Sequence, residues 1–429
     1  MTGLVVVIFV LTYLLIAFRR LRILPIGRPA GALLGATLMV VVGAMTPEES
    51  YRAIDGDTIV LLLGMMLITA ELDQTGFFLW ASSRVLRLAR TPGSLMTVVA
   101  VSAALGSAFL VNDTICLFMT PIVVATCLKA RLPLGPYLIV LATSANLGSA
   151  LTLVGNPQNM LIGSMSGLSF SAFLVAMLPA VVVGFGAHLL LARFFYRRVI
   201  HAGGATIAER SREAPALPAG SDGPDASVDR RQLAVVAFVM AGVVVAFFCG
   251  AHLGYAALAG ASALMVMRFR NPDETFRRVD WTLLLFFVGL FIVTAALRET
   301  GLVEAAWDAA APAMRLDSAS GLAVFTGVMT LGSNLVSNVP MVVLSGPFLG
   351  ELGDPALGWV LLGFVTTIAG NLTLVGSVAN IIVAEGARDH YTLGFFEYLR
   401  FGAVSTTIVL AIGVPLTAVW APIALGLFQ

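Results

Sequence analysis

Residues 107–121 read SAFLVNDTICLFMTP, which sets Asn112, Asp113 and Thr114 inside an otherwise apolar stretch. An ionised Asp at the centre of a bilayer costs about 2.5–3.5 kcal/mol even on the most lenient insertion scale. If this stretch lies in lipid, the triplet needs a partner or a task.

Of the 429 residues, 59% are hydrophobic and 11% charged, and apolar runs long enough for spanning helices recur from end to end. That is the pattern of a polytopic helical membrane protein, with the lipid bilayer as its surroundings. The formal net charge of +1 gives no basic balance that would recruit nucleic acid, and no nucleic-acid partner is expected. Cys116, Cys127 and Cys249 lie in apolar runs without CxxC or Cys/His spacing, so they are expected to be packing residues rather than disulfides or metal ligands. The first run, Leu4 to Phe18, has no basic stretch before it and no small-residue cleavage site after it, and reads as a retained helix.

Two apolar segments, 94–128 and 320–350, exceed the roughly 20 residues of one spanning helix and are interrupted by polar residues. Each is either two crossings or a re-entrant hairpin. With both as hairpins, the loop Lys and Arg, from Arg19, Arg20 and Arg22 through Arg84, Arg87, Lys129 and Arg193 to Arg388 and Arg400, fall on one side. Only Arg52, Arg298 and Arg315 fall on the other. The crowded side is cytoplasmic by the positive-inside rule. The expected fold is an all-α polytopic membrane protein of about ten transmembrane helices plus two re-entrant hairpins, with N- and C-termini external.

The chain also repeats itself. A cytoplasmic linker over 199–231, rich in Gly, Pro and Ala and without helical or strand period, separates a first repeat, 1–198, from a second, 232–429. YRAID at 51–55 matches FRRVD at 276–280, GSAFLVNDTICLFMTP at 106–121 aligns with GSNLVSNVPMVVLSGP at 332–347, and LTLVGNPQN at 151–159 matches LTLVGSVAN at 372–380. With an odd number of crossings per half, the second repeat enters the membrane upside down. Inverted-topology repeats with interrupted helices, here 136–163 and 357–386, are the architecture of secondary transporters, whose sites sit near the midplane where the repeats meet.

Backbone that leaves a helix inside the membrane is tolerated only where it lines protein or a water-filled cavity, so breaks mark the site. Four stand out: VNDT at 111–114, SANLGSALTLVGNPQN at 144–159, SNLVSNVP at 333–340 and AGNLTLVGSVAN at 369–380. They nominate Asn112, Asp113, Thr114, Asn146, Gly155, Asn156, Asn159, Ser337, Asn338, Asn371, Gly376 and Asn380 as substrate- or ion-binding residues. Helix N-termini at such breaks offer N–H donors and partial positive charge to an anion. Unwound carbonyls and the oxygens of Asn, Ser and Thr suit Na+, which is weighed at Asn112, Asn159, Asn338 and Asn380; no other cofactor is expected. No Lys or Arg lies in the breaks, which favours a small ionic substrate that is singly charged, partly protonated or accompanied by a cation.

Asp113, the one acid at a break, reads as a proton carrier or cation ligand, or as a helix N-cap. Asp55 and Asp280 read as N-caps at membrane edges, His188, His252 and Thr69 as packing or interface residues, and Glu385 as solvated. No GxxxxGK[ST], HExxH or Ser/His arrangement points to an ATP-driven machine or an enzyme.

The segments NDTICLFMTP, LVGNPQN, VDWTLLLFFVGLF and SNVP together resemble the arsenite-permease and sodium/proton-antiporter branch of the ion transporter superfamily, related to the divalent anion/sodium symporters. The resemblance implies that the hairpin tips and interrupted helices hold substrate and cation, that a hairpin-bearing domain moves past a scaffold like an elevator, and that the protein is a homodimer. Sodium/dicarboxylate symporters of this kind carry Ser-Asn-Thr at both tips, whereas this chain reads Asn-Asp-Thr and Ser-Asn-Val. The expected function is secondary active transport of a small inorganic anion or metalloid hydroxide, coupled to Na+ or H+, in a bacterial inner membrane. A Na+/H+ antiporter and a sodium-coupled di- or tricarboxylate symporter are the alternatives.

Overall fold

In the computed structural model, residues 1–17, 27–78, 80–81, 89–201, 229–268 and 271–428 are described, and all regular structure among them is helical. The expectations that concern Arg19, Arg20, Arg22, Arg84 and Arg87, and the linker between 202 and 228, lie outside the described residues.

The first half runs α1 (Thr2–Ala17), α2 (Arg28–Val41), α3 (Gly56–Gln74), α4 (Pro92–Phe109), α5 (Asn112–Lys129), α6 (Leu134–Ser149), α7 (Pro157–Ser166) and α8 (Phe170–Phe195). The second runs α9 (Arg230–Phe248), α10 (Leu253–Arg268), α11 (Trp281–Arg298), α12 (Ala319–Val336), α13 (Asn338–Ser345), α14 (Pro355–Ala369), α15 (Val378–Gly386) and α16 (Phe395–Gly426). Seven described helices, α4, α5, α8, α9, α11, α12 and α16, are long and apolar enough to cross a membrane. Their outward faces carry exposed side chains such as Leu190, Phe238 and Leu331, which hydrocarbon accepts and water does not.

Local chemistry starts the third helix of each half in the same way. A short helix with Pro at its first position, Pro47–Arg52 or Pro272–Phe276, precedes an Asp that caps the long helix. Asp55 accepts from Thr58 N at 2.7 Å to cap α3, and Asp280 accepts from Leu283 N at 3.0 Å to cap α11. Both caps are as expected. The short helix of the second half reaches back to the first, since Thr275 Oγ1 donates to the buried Glu71 and Arg278 pairs with Asp73.

The two halves embrace reciprocally. Gly64 of α3 rides on the backbone of Ala257 in α10, so close that an added Cβ would stand 2.8 Å from it. Gly289 of α11 does the same on Ala32 of α2, at 2.7 Å. Gly64 and Gly289 are repeat equivalents, as are Ala32 and Ala257, so the paired contacts are those a two-fold axis generates. α8 and α16 pack along each other across the same relation.

The breaks fall where the polar stretches stand in the sequence. α4 and α5 are parted at 110–111, α6 and α7 at 150–156, α12 and α13 at Ser337, and α14 and α15 at 370–377. α6 is buried along its whole length and α14 from Leu357 to Ala369, so the interrupted helices form the centre. The hairpins differ. Both arms of the first have 18 residues, whereas the second arm of the other, α13, has 8 and runs into a 3-10 segment, Gly346–Leu352. Cys116 and Cys127 are buried as expected; Cys249 is exposed instead, because α9 ends at Phe248 and the thiol falls in the turn. His188 is buried and bridges α8 to Ser405 at 2.8 Å and to Ser144 at 3.1 Å, an interface role.

Candidate functional site

The first tip is sewn to the first break. Asn112 N, at the start of α5, donates to Gly155 O at 2.9 Å, and Thr152 Oγ1 donates to Ala108 O at the end of α4. Asn159 Nδ2 holds the loop from inside, donating to Ser149 O at 3.2 Å and to Thr152 O at 3.0 Å. Asn156 caps α7 by accepting from Asn159 N at 2.8 Å. Gly155 has no room for a side chain, because an added Cβ would overlap Ser149 O.

The second tip repeats the stitch. Asn380 Nδ2 donates to Gly370 O at 2.8 Å and to Thr373 O at 3.0 Å, the same two loop positions that Asn159 holds. Thr373 Oγ1 donates to Asn334 Oδ1 at 3.0 Å, and an added Cβ on Gly376 would meet that oxygen at 2.9 Å. At the tip itself Ser337 has φ +72°, a conformation that side chains other than glycine rarely adopt and that clusters at ligand sites.

The two breaks interlock through side-chain amides. Asn146 Nδ2 donates to Asn371 Oδ1 at 2.8 Å and to Asn380 Oδ1 at 2.9 Å, while its Oδ1 accepts from Asn112 Nδ2 at 2.9 Å and from Ser377 Oγ at 3.0 Å. Asn371 Nδ2 donates to Thr143 O at 3.0 Å. In return Thr367 Oγ1 of α14 accepts from Gln158 Nε2 at 3.0 Å and from Asn156 Nδ2 at 3.4 Å. Asn112, Asn146, Asn371 and Asn380 thus form one network, with Gly155, Asn156 and Asn159 attached through the first loop and Asn338 seated beside Gly370. Asp113 is buried in the first turn of α5, but the cap position belongs to Val111, so the N-cap reading of Asp113 is corrected. Thr114 is partly buried and closes that turn on Val111 O at 3.0 Å.

Several buried oxygens at the tips receive no hydrogen bond: Ser107 Oγ, Asn112 Oδ1 and Asn159 Oδ1 at the first, and Ser333 Oγ and Asn338 Oδ1 at the second. Each such group costs about 1–3 kcal/mol, and a cluster of them calls for an explanation such as an ion or ligand. Ser107 and Ser333 are repeat equivalents within the GS pairs at 106–107 and 332–333, so the aligned segments carry the signal for them. Tyr13 of α1 is another functional candidate that sequence reasoning missed; its hydroxyl is buried without a partner, and a lone Tyr in an apolar run gives no signal.

At the second tip lies a cavity of about 60 Å³ lined by Tyr13, Phe286, Ser333, Ser337, Val375 and Val378 among others. It adjoins a larger one of about 560 Å³, with which it shares Phe286 and Val378 and whose rim carries Asp280, Glu385 and Arg388. That larger cavity separates α11 from α15. In the first half the equivalent pair, α3 and α7, is in contact, with Ser164 Oγ donating to Asp55 Oδ2 at 2.9 Å, and a cavity of about 330 Å³ lined by Asp57, Leu61, Met160 and Gly163 among others lies beside that contact.

Two repeats of spanning helices, with paired breaks converging on buried polar groups, define a membrane transporter. The chain belongs to the CitMHS citrate transporter family, whose model matches residues 13–369. It is 35% identical to the silicon efflux transporter LSI3 of Oryza sativa subsp. japonica, covering 96% of each chain. It is 30% identical to the putative transporter arsB of Dictyostelium discoideum, covering 92% of this chain and 87% of that one. The solved YdaH transporter of Alcanivorax borkumensis shares the fold at a TM-score of 0.57 and 14% identity, over 91% of this chain and 89% of that chain.

Proposed function

We propose that this protein is a secondary active transporter of a small metalloid hydroxide or related inorganic anion, coupled to Na+ or H+. The observation that carries the reading is the second-tip cavity. Its roughly 60 Å³ opens beside the larger cavity of about 560 Å³, which gives a small solute a way to the tip. Ser333 Oγ on its wall and Asn338 Oδ1 beside Ser337 await O–H donors, and no Lys or Arg lies in the breaks to neutralise a polycarboxylate. A small molecule bearing several hydroxyls meets those demands. The name of the rice relative, a silicon efflux transporter, supports the same substrate class.

Alternating access is the mechanism we infer. α11 and α15 are parted by the larger cavity whereas α3 and α7 are joined by the Ser164–Asp55 hydrogen bond, a difference between equivalent positions that fits one end-state of an elevator in which α4–α8 and α12–α16 slide past the remaining helices. With Arg388 on the cytoplasmic side, the larger cavity is the inward vestibule, both termini are external, and the assembly is a homodimer in a bacterial inner membrane.

Proteoliposomes test the reading. Gradient-driven flux of arsenous or silicic acid is expected, and its absence across metalloid hydroxides, oxyanions and carboxylates refutes it. A second reading, Na+/H+ antiport, draws on the buried Asp113. In that case Asp113→Asn abolishes cation exchange, whereas a carrier coupled through amide oxygens keeps its uptake.

A further inference from the structure

A large apolar cavity flanks the first hairpin. Its roughly 420 Å³ lies between α4 and α5 on one side and α9 and the turn after α3 on the other. Leu233, Ala237 and Met240 present one stripe of α9 to it, at the i, i+4, i+7 spacing of a helix face. Phe78, which also lines it, stacks on Phe118 of α5 with ring centroids 4.1 Å apart. Ser102 is the one polar side chain among its described lining residues. Leu105 and Phe109 of α4 stand on its rim, 64% and 39% exposed, so the cavity opens sideways to lipid. An apolar space of this kind excludes water and accepts apolar ligands. In the second half α1, the equivalent of α9, covers the matching tip more closely, and Tyr13 and Ile16 leave about 60 Å³ there.

The cavity has the depth and the polarity of one leaflet. Along α4 it runs from Val99 to Leu110, about 16 Å at 1.5 Å per residue, which matches half of a hydrocarbon core roughly 30 Å thick. Its deep end is the hairpin tip, at Leu110 and Ile115. Its shallow end is the start of α9, where Arg230 and Arg231 are exposed within one turn of Leu233. The acids nearby are engaged: Asp229 caps α9 by accepting from Gln232 N at 3.1 Å, and Asp73 pairs with Arg278. Trp80, packed beside Phe77 at the same end, is 37% exposed, as aromatic residues at a membrane interface are. A basic mouth at one end and an apolar slot that stops at the midplane match the two ends of a phospholipid. A helix of a second copy would instead need an apolar face through both leaflets.

We propose that this cavity holds an acyl chain of an anionic phospholipid, its phosphate at Arg230 and Arg231 and its chain wedged between the first hairpin and α9. Exposed guanidinium groups at the level of the headgroups attract anionic lipid, and the chain supplies the dispersion contacts that the facing side chains lack across the gap. The site itself needs only the membrane-spanning fold. Its consequence rests on the elevator reading above: the hairpin moves and α9 does not, so the chain fills the seam along which they slide, and transport depends on the lipid that occupies it.

The test uses the purified full-length protein in bilayers containing phosphatidylglycerol with a diazirine near the end of one acyl chain. Illumination is expected to place adducts on cavity residues such as Leu105, Met119 and Met240. Ala237→Trp, which fills the space, is expected to lower that labelling several-fold, and Ala237→Phe serves the same purpose if the Trp variant does not fold. Arg230→Gln together with Arg231→Gln is expected to remove the preference for this probe over the same chain on phosphatidylcholine. Adducts confined to the outer helix faces, labelling unchanged in a folded Ala237 variant, or equal labelling from both headgroups in the wild type overturns the proposal. A disulfide between two protomers carrying Ala237→Cys, in a background without the native cysteines, also overturns it, because a second copy is then the occupant. Flux is expected to change several-fold when phosphatidylcholine replaces phosphatidylglycerol, and flux equal in both lipids overturns the role at the seam. A labelled cavity in a protein that carries no solute supports the lipid site and overturns the transporter reading instead.

Discussion

Asn146 and Asn380 meet where the two halves join, the Nδ2 of one 2.9 Å from the Oδ1 of the other. Asn146 belongs to the interrupted helix of the first repeat and Asn380 to that of the second, so this amide joins the two breaks alongside the bonds of Gln158 and Asn156 to Thr367. Both side chains are buried, at 2% and 0% exposure, and the bond is therefore not in competition with water.

Asn146→Leu removes four hydrogen bonds and strands the oxygens of Asn371 and Asn380 in the interior. A loss on the order of 2–4 kcal/mol is expected, read as a lowered thermal midpoint in detergent. Asn146→Thr, which copies the second repeat, is expected to lose less. If the Leu variant is as stable as the wild type, the network does not hold the breaks together.

Gly155→Ala and Gly376→Ala separate the two loops by steric demand. A Cβ at Gly155 overlaps the backbone oxygen of Ser149, whereas at Gly376 it stands 2.9 Å from the Asn334 side chain and the Gly370 carbonyl. Overpacking typically costs about 1–3 kcal/mol, and Gly155→Ala is expected to exceed Gly376→Ala because its Cβ would stand 2.2 Å rather than 2.9 Å from a backbone oxygen. Folded yield by size-exclusion chromatography ranks them. Equal yields refute the ordering.

Tyr13→Phe deletes a hydroxyl that has no hydrogen-bond partner in the fold. Stability is expected to change by less than about 0.5 kcal/mol, while the KM for a metalloid hydroxide rises several-fold with maximal rate nearly kept. A drop in stability with unchanged KM assigns Tyr13 to packing instead.

Cysteines placed at 55 and 164, in a background without Cys249, replace the Ser164–Asp55 hydrogen bond by a covalent one. Oxidation is expected to stop flux and reductant to restore it, since α7 can then no longer leave α3. Full flux in the oxidised, crosslinked protein rules out motion at this interface.

Much of the fold was legible along the chain. The apolar runs, the GS–tip–Pro repeat and the LTLVG repeat are local patterns, and the helices, their breaks and the caps at Asp55 and Asp280 follow from them because helix start and stop signals act within a few residues. The breaks at 150–156 and 370–377 carried their own punctuation, with Gly155 and Pro157 in one and Gly376 and Ser377 in the other. The tip residues Asn112 and Asn338 could be paired from the repeat alone.

The roles within the site could not be read that way. Asn159 and Asn380 are the same residue at equivalent positions and clamp their loops alike, yet one oxygen has a donor and the other has none. That difference is set by Asn146, which lies far from Asn380 along the chain, and Tyr13, Ser107 and Ser333 join the tips only once packing brings them there. Sequence by itself determined a repeated helical membrane chain with four polar breaks, because helix periodicity and hydropathy are short-range. Only the tertiary structure decided which oxygens are satisfied, because a hydrogen bond depends on a partner within about 3 Å, and side chains so far apart in sequence reach that distance only when the two halves close on each other.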